Sequence, residues 1–180
     1  MDENGAMKPK KGIAVKILIP LLVVVAIAAV WVFKNMKPAN QPADVGHPDF
    51  ALKVTDTLDL EQLKSHGLPI LVEFGSEDCP ACKVMAPIIE QLNADLQGKA
   101  IIKYADVWAD PSLADGFPLT VIPTQLFIDS EGKPYSPADP KTLGMKLYLM
   151  RETEEHVYTV HEGTLTREQL LGILEEMGMQ

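Results

Sequence analysis

The stretch Leu71–Pro87, LVEFGSEDCPACKVMAP, constrains this chain more than any other. Ile70–Phe74 is an almost unbroken run of apolar strand formers, as a strand buried on both faces requires. Met85, Ile88, Ile89, Leu92 and Leu96 then recur at the i, i+3, i+4 spacing of a helix with one apolar face. Cys79-Pro80-Ala81-Cys82 therefore falls at a strand-to-helix junction. Cys79 sits there beside unpaired backbone N–H groups and the positive end of the helix dipole, which favour a thiolate, while Cys82 lies one turn inside. Two intervening residues let both sulfurs reach bonding distance, and Pro80 needs no backbone donor at a helix start. A reversible Cys79–Cys82 disulfide is thus the expected redox group, with no other cofactor. Both cysteines of the chain lie in this motif. A structural bridge across so small a loop would add little stability, and no second CxxC or Cys/His cluster offers zinc ligands.

Composition narrows the function further. The 180 residues, 47% of them hydrophobic, suffice for one domain with a proper core plus an extra segment. The formal charge is −9, yet the first 37 residues carry six lysines and two acids, leaving 10 basic against 23 acidic residues in the remainder. So acidic a domain argues against nucleic acid and anionic membrane surfaces as ligands.

Residues 1–16 are polar and basic, and Ile17–Phe33 (ILIPLLVVVAIAAVWVF) is uncharged and apolar. As a helix this run spans roughly 25 Å, close to the hydrocarbon thickness of a bilayer. It reads as an uncleaved transmembrane anchor in preference to a signal peptide, because it is longer than a usual signal core and no small-x-small cleavage site ends it. Four lysines before it against two after it place the N-terminus in the cytoplasm and the following domain outside. Residues 34–49 are rich in Pro, Asn and Ala and read as an extended linker.

The domain is expected over residues 50–180. Phe50–Val54 is predicted as an edge strand, Thr57–Leu63 as a short helix ended by Gly67, Ala100–Val107 as a strand, Asp110–Phe117 as a short helix, and Thr124–Ile128 as a strand. A turn at Asp129–Gly132 follows, and His156–His161 is the expected final core strand. The two histidines, at odd spacing, would face opposite sides. Thr166–Gln169 fits a capping box opening a C-terminal helix. Trp108 is expected to pack near the rim of the cysteine site.

The segment LVEFGSEDCPACKVMAPII resembles the active-site segment of the thioredoxin superfamily. The resemblance continues through Lys103, through Asp110–Thr124 with its Ile122-Pro123-Thr124, and through Gly163–Leu174. It covers roughly Phe50–Gly178, and CxxC, the helix proline Pro87 and Ile-Pro-Thr occur in the family's order. It implies an α/β, thioredoxin-like fold: a central mixed β-sheet flanked by helices, here following an N-terminal transmembrane helix. It further implies thiol–disulfide exchange in which Cys79 attacks, Cys82 resolves, and Glu73 takes the position of a buried acid that moves the Cys82 proton. Lys103 matches a neighbouring lysine that would pair with Glu73 and support the transfer. Pro123 matches a cis-proline opposite the cysteines, with Ile122, Thr124, Pro80 and Ala81 along the surface that binds a substrate segment.

The chain departs from the family in three ways. Gly75 and Asp78 replace aromatic residues near the first cysteine, and Pro80-Ala81 replaces Gly-Pro. Glu77 and Asp78 are expected to disfavour a thiolate at Cys79, so the pair should be a reductant. Pro134–Glu155 is an insertion whose Met145–Met150 run should form an added strand or hairpin beside His156–His161, outside the core and dispensable for the fold.

The expected protein is a bacterial, single-pass, cytoplasmic-membrane protein with an extracytoplasmic domain. It would reduce disulfides in exported proteins, as in cytochrome c maturation, with electrons from a membrane carrier of the DsbD/CcdA type. The alternatives are a disulfide-forming oxidase and a copper-binding metallochaperone using the cysteines plus a histidine.

Overall fold

A computed structural model describes residues 47–180. The expected basic segment 1–16, the anchor 17–33 and most of the linker 34–49 lie outside the described residues. Among the described residues no helix is long and apolar enough to cross a membrane.

The fully buried run Ile70–Gly75 forms β1, the second of five strands across one sheet. Its neighbours are Ile101–Asp106 (β2), parallel to it, and Thr124–Ile128 (β3), antiparallel. His156–Glu162 (β5) pairs antiparallel with β3, and Met145–Leu149 (β4) closes the far edge on β5. The order β2-β1-β3-β5-β4 is a mixed sheet with β1 and β3 at its centre.

Each face of the sheet buries a separate core. Leu71, Ile102 and Phe127 pack on one side with Met85, Ile89 and Leu92 of Pro80–Asp95 (α2) and Leu170, Ile173 and Leu174 of Arg167–Glu176 (α3). Ile70, Val72, Phe74, Leu126 and Val160 pack on the other with Phe50, Leu113 and Leu63 of the short helix Leu60–Lys64 (α1). Each such side chain contributes about 1.5–3 kcal/mol on burial. The helix starts follow local chemistry. Asp59 caps α1, and Thr166 with Gln169 forms the expected capping box on α3.

Five expectations need correction. Phe50–Val54 is not a strand: Pro48 turns Pro48–Phe50 into a 3-10 helix, Phe50 enters the core, and one bridge, Lys53 to Tyr104, remains. The helix after Asp110 is a single 3-10 turn, Pro111–Ala114. Trp108 is 60% exposed and packs no core. His156 and His161 do not face opposite sides, because Val157 is an extra residue between the pairs Leu149–His156 and Tyr148–Tyr158. His156 thereby faces the side of Met145 and His161, where its Nε2 meets Thr159 Oγ1 at 2.8 Å.

The fifth correction concerns the insertion. Its strand forms where expected, on the edge beside β5. The segment nevertheless contributes to the core: Tyr135 and Met145 are 4% and 7% exposed and pack in the cluster under α2 and α3. The Tyr135 hydroxyl donates to Glu176, and its carbonyl accepts from Thr159 Oγ1.

Candidate active site

Cys79 is the N-cap of α2 and Pro80 its first residue, so the strand-to-helix junction stands as read from the sequence. The Cys79 sulfur accepts the Cys82 backbone N–H at 3.3 Å. Its S–H faces the Ile122 carbonyl at 3.9 Å, across from the cis Ile122–Pro123 bond. Cys79 is 6% and Cys82 3% exposed, while Pro80 and Ala81 stand in solvent on the first turn.

The two thiols have opposite acidities. For Cys79, burial pushes the thiol up, but the hydrogen bonds from the Cys82 thiol and from the Cys82 and Ala81 backbone outweigh it, and the net shift is downward. Cys82 is pushed up to about 12, first by burial and then by its bond to Cys79 and the charges of Cys79 and Glu73. Of the two thiols, the first is therefore the more readily ionised. Glu77, expected to oppose this, is turned to Lys53 at 2.8 Å, and the acid that does act on Cys79 is Glu73.

Glu73 lies on β1 on the face covered by α2, 1% exposed. Burial holds its carboxyl at about 8, against one hydrogen bond in the opposite sense, from Gln125 Nε2 at 2.8 Å. Its Oε2 takes that bond, and its Oε1 is buried without a partner. A carboxyl near 8 is about one-tenth ionised at pH 7, which suits a group that both takes and returns a proton.

The expected Lys103–Glu73 pair does not form. Lys103 stands opposite Val72 in the parallel register, so its side chain leaves the sheet on the other face, where its Nζ donates to the Pro48 and Ala51 carbonyls at 3.1 and 2.8 Å. It ties down the start of the domain, and burial lowers its pKa. Thr124 also differs from expectation: it is fully buried and its hydroxyl donates to the Val121 carbonyl at 2.8 Å, shaping the loop before the cis bond. Ile122 is half-buried, and next to it Val121 is 51% exposed. The copper alternative needs a histidine beside the cysteines. Among the described residues the group with metal-ligand spacing is His47, Asp49 and His66, which contains neither cysteine.

Two features of the site take their meaning only from the fold. At Gly75 a Cβ would lie 3.3 Å from Cys82 Sγ and 3.1 Å from the Tyr104 ring, so the glycine in place of an aromatic residue leaves room beside the second sulfur. Gln125 joins Glu73 to His161, and its only trace in the sequence is a glutamine after Thr124 at the head of the otherwise apolar strand TQLFI.

The thioredoxin family model matches residues 51–144. The chain belongs to the thioredoxin family. A thioredoxin of Rickettsia bellii is 33% identical over 84 residues, covering 46% of this chain and 80% of that protein. One from Staphylococcus aureus is 40% identical over 83 residues, covering 46% of this chain and 77% of the relative. A solved mutant thioredoxin of Halobacterium salinarum shares the fold at a TM-score of 0.50 and 19% identity, over 74% of this chain and 95% of its own. Family membership makes this protein a thiol–disulfide oxidoreductase acting on disulfide substrates. The matched residues stop before β4, the edge strand formed by the insertion.

Proposed function

We propose that this thioredoxin is a membrane-tethered reductase of disulfides in exported proteins, working through Cys79 and Cys82. The Cys79 thiolate attacks one sulfur of a substrate disulfide, that S–S bond breaks, and the departing thiolate takes a proton from solvent. The mixed disulfide removes the charge and the hydrogen bond of Cys79, two of the causes that hold the Cys82 proton. Cys82 then gives that proton to Glu73 Oε1 and attacks Cys79 Sγ. The second substrate thiolate leaves, and two electrons have passed from the dithiol to the substrate. The exposed first turn and the Ile122 carbonyl would hold an extended substrate segment.

The observation that carries this reading is the division of labour at the helix start: Cys79 is the N-cap with its sulfur on a backbone N–H, and Cys82 is buried beneath it. Tethering and the outward orientation rest on the apolar run 17–33 and the lysines flanking it. Reoxidised protein would be returned to the dithiol by a membrane carrier of the DsbD/CcdA type, and cytochrome c apoprotein is one exported substrate of the right chemistry. The test is a trapping experiment in membranes. Cys82→Ser should accumulate mixed disulfides with exported proteins and Cys79→Ser should not; equal trapping by both would sink the assignment of the nucleophile.

A further inference from the structure

Glu73, Gln125 and His161 stand side by side on three adjacent strands. Glu73 is the cross-strand partner of Gln125, and Gln125 of His161. They are 1%, 0% and 8% exposed, in a row roofed by α2 and α3. A buried polar row of this kind is costly unless each group is satisfied.

Hydrogen bonds orient all three side chains of the row and leave one of its buried atoms, Glu73 Oε1, without a partner. Gln125 Nε2 donates to Glu73 Oε2 at 2.8 Å and to the Gly163 carbonyl at 2.9 Å, which uses both amide hydrogens. A carbonyl can only accept, so the amide nitrogen must face Gly163 and Glu73, and its oxygen must face His161. That oxygen lies 2.7 Å from His161 Nδ1. An amide oxygen can only accept too, so Nδ1 carries the hydrogen and the imidazole can gain or lose a proton only at Nε2. The ring's outer carbons, Cδ2 and Cε1, are what a Cβ at Gly144 or Gly163 would meet, at 3.9 and 4.0 Å, so two glycines border that outer edge. At the opposite end the unpaired atom is Glu73 Oε1.

We propose that Gln125 and His161 are positioning residues that lock the Glu73 carboxyl with Oε2 engaged and Oε1 free, and so hold it as the acceptor of the Cys82 proton. This rests on the reading of Glu73 as that acceptor. His161 acts through the amide: the Gly163 carbonyl sets the amide nitrogen toward Glu73, and the Nδ1–H tautomer that this orientation selects donates to the amide oxygen and holds it away from Glu73, where it would favour the protonated acid. Burial also lowers the His161 pKa, so the ring is neutral at physiological pH and supplies a donor without a charge.

The titratable groups around the row are few. Cys79 and Cys82 from α2 and Tyr104 from β2 feel the Glu73 charge. Glu162, beside His161 on β5, is paired with Lys146 of β4. Glu176 of α3 is bonded to Tyr135.

The test is the titration of the Glu73 carboxyl in reduced full-length protein by carbon-13 NMR, assigned with Glu73→Gln, beside the pH profile of mixed-disulfide resolution. Gln125→Leu removes the donor to Oε2 and should move the Glu73 midpoint and the rate profile up together by about one pH unit or more. His161→Phe keeps the ring and removes Nδ1–H, so a smaller upward shift is expected. His161→Asn, whose amide can donate from nearly the same place, should restore most of it. A midpoint that stays put in folded Gln125→Leu and His161→Phe overturns the proposal and leaves the role of Glu73 standing. A midpoint that moves while Glu73→Gln leaves the resolution profile of the parent unchanged overturns the proton-transfer reading, and the proposal with it. Should Gln125→Leu fail to fold, the His161 pair carries the test alone.

Discussion

Replacing Glu73 with Gln keeps the side chain's shape and its acceptor oxygen toward Gln125 while removing the charge. The folded carboxyl titrates at about 8 because burial penalises its ionised form, whereas its ordinary value is 4.5. Between those values the native state keeps a proton that the unfolded state has lost. The folded protein therefore binds more protons, and stability falls as pH rises from about 4.5 to about 8. At about 1.36 kcal/mol per pH unit, the loss reaches ~2 kcal/mol near pH 6 and ~5 kcal/mol above pH 8. That is a large share of a domain's usual ~5–15 kcal/mol. Glu73→Gln has no such slope, so it should match the parent near pH 4.5 and exceed it by those amounts as pH rises. Urea unfolding of the reduced, full-length chain in mild detergent, followed by circular dichroism, reads the difference. A gap between parent and variant that stays constant to about 0.5 kcal/mol across this range would refute the burial argument.

Three further outcomes are expected. The Cys79 thiolate is held only by neutral donors and opposed by Glu73, with no cation among its stabilising groups. The reduction potential measured against glutathione should therefore lie nearer about −270 mV than about −120 mV, and a value above about −180 mV would exclude a reductase. Gly75→Ala places a methyl group 3.3 Å from Cys82 Sγ, so it should destabilise the reduced protein by about 1–3 kcal/mol and slow resolution more than initial attack; stopped-flow traces that leave both steps unchanged would show that the crowding is relieved elsewhere. Met145→Ala should cost about 2–5 kcal/mol by thermal unfolding, as a core methionine does, whereas a cost below about 0.5 kcal/mol would return the insertion to the surface.

Much of the site was legible because its information is local. Apolar run, Cys-Pro-Ala-Cys and helical periodicity are consecutive in the chain, and the N-cap geometry they dictate needs no distant partner. The capping box at Thr166 and the edge strand at Met145–Leu149 are local in the same way, although in that strand only Met145 is buried. The pairing of Lys103 with Glu73 was not legible, since a one-residue offset in the β1–β2 register sends the two side chains to opposite faces.

The sequence by itself determined which residues could be redox-active, because a thiol pair at a helix start is a property of neighbours in the chain. Only the tertiary structure decided what surrounds them. Glu73, Gln125 and His161 are separated by 52 and 36 positions, and nothing in their spacing shows that three strands bring them into one hydrogen-bonded row. The extra residue at Val157 likewise reverses the facing of His156 against simple parity. Strand order, register and bulges are set by the packing of the whole sheet against its two cores, and that packing leaves Oε1 of Glu73 as the one buried acceptor in the row without a partner.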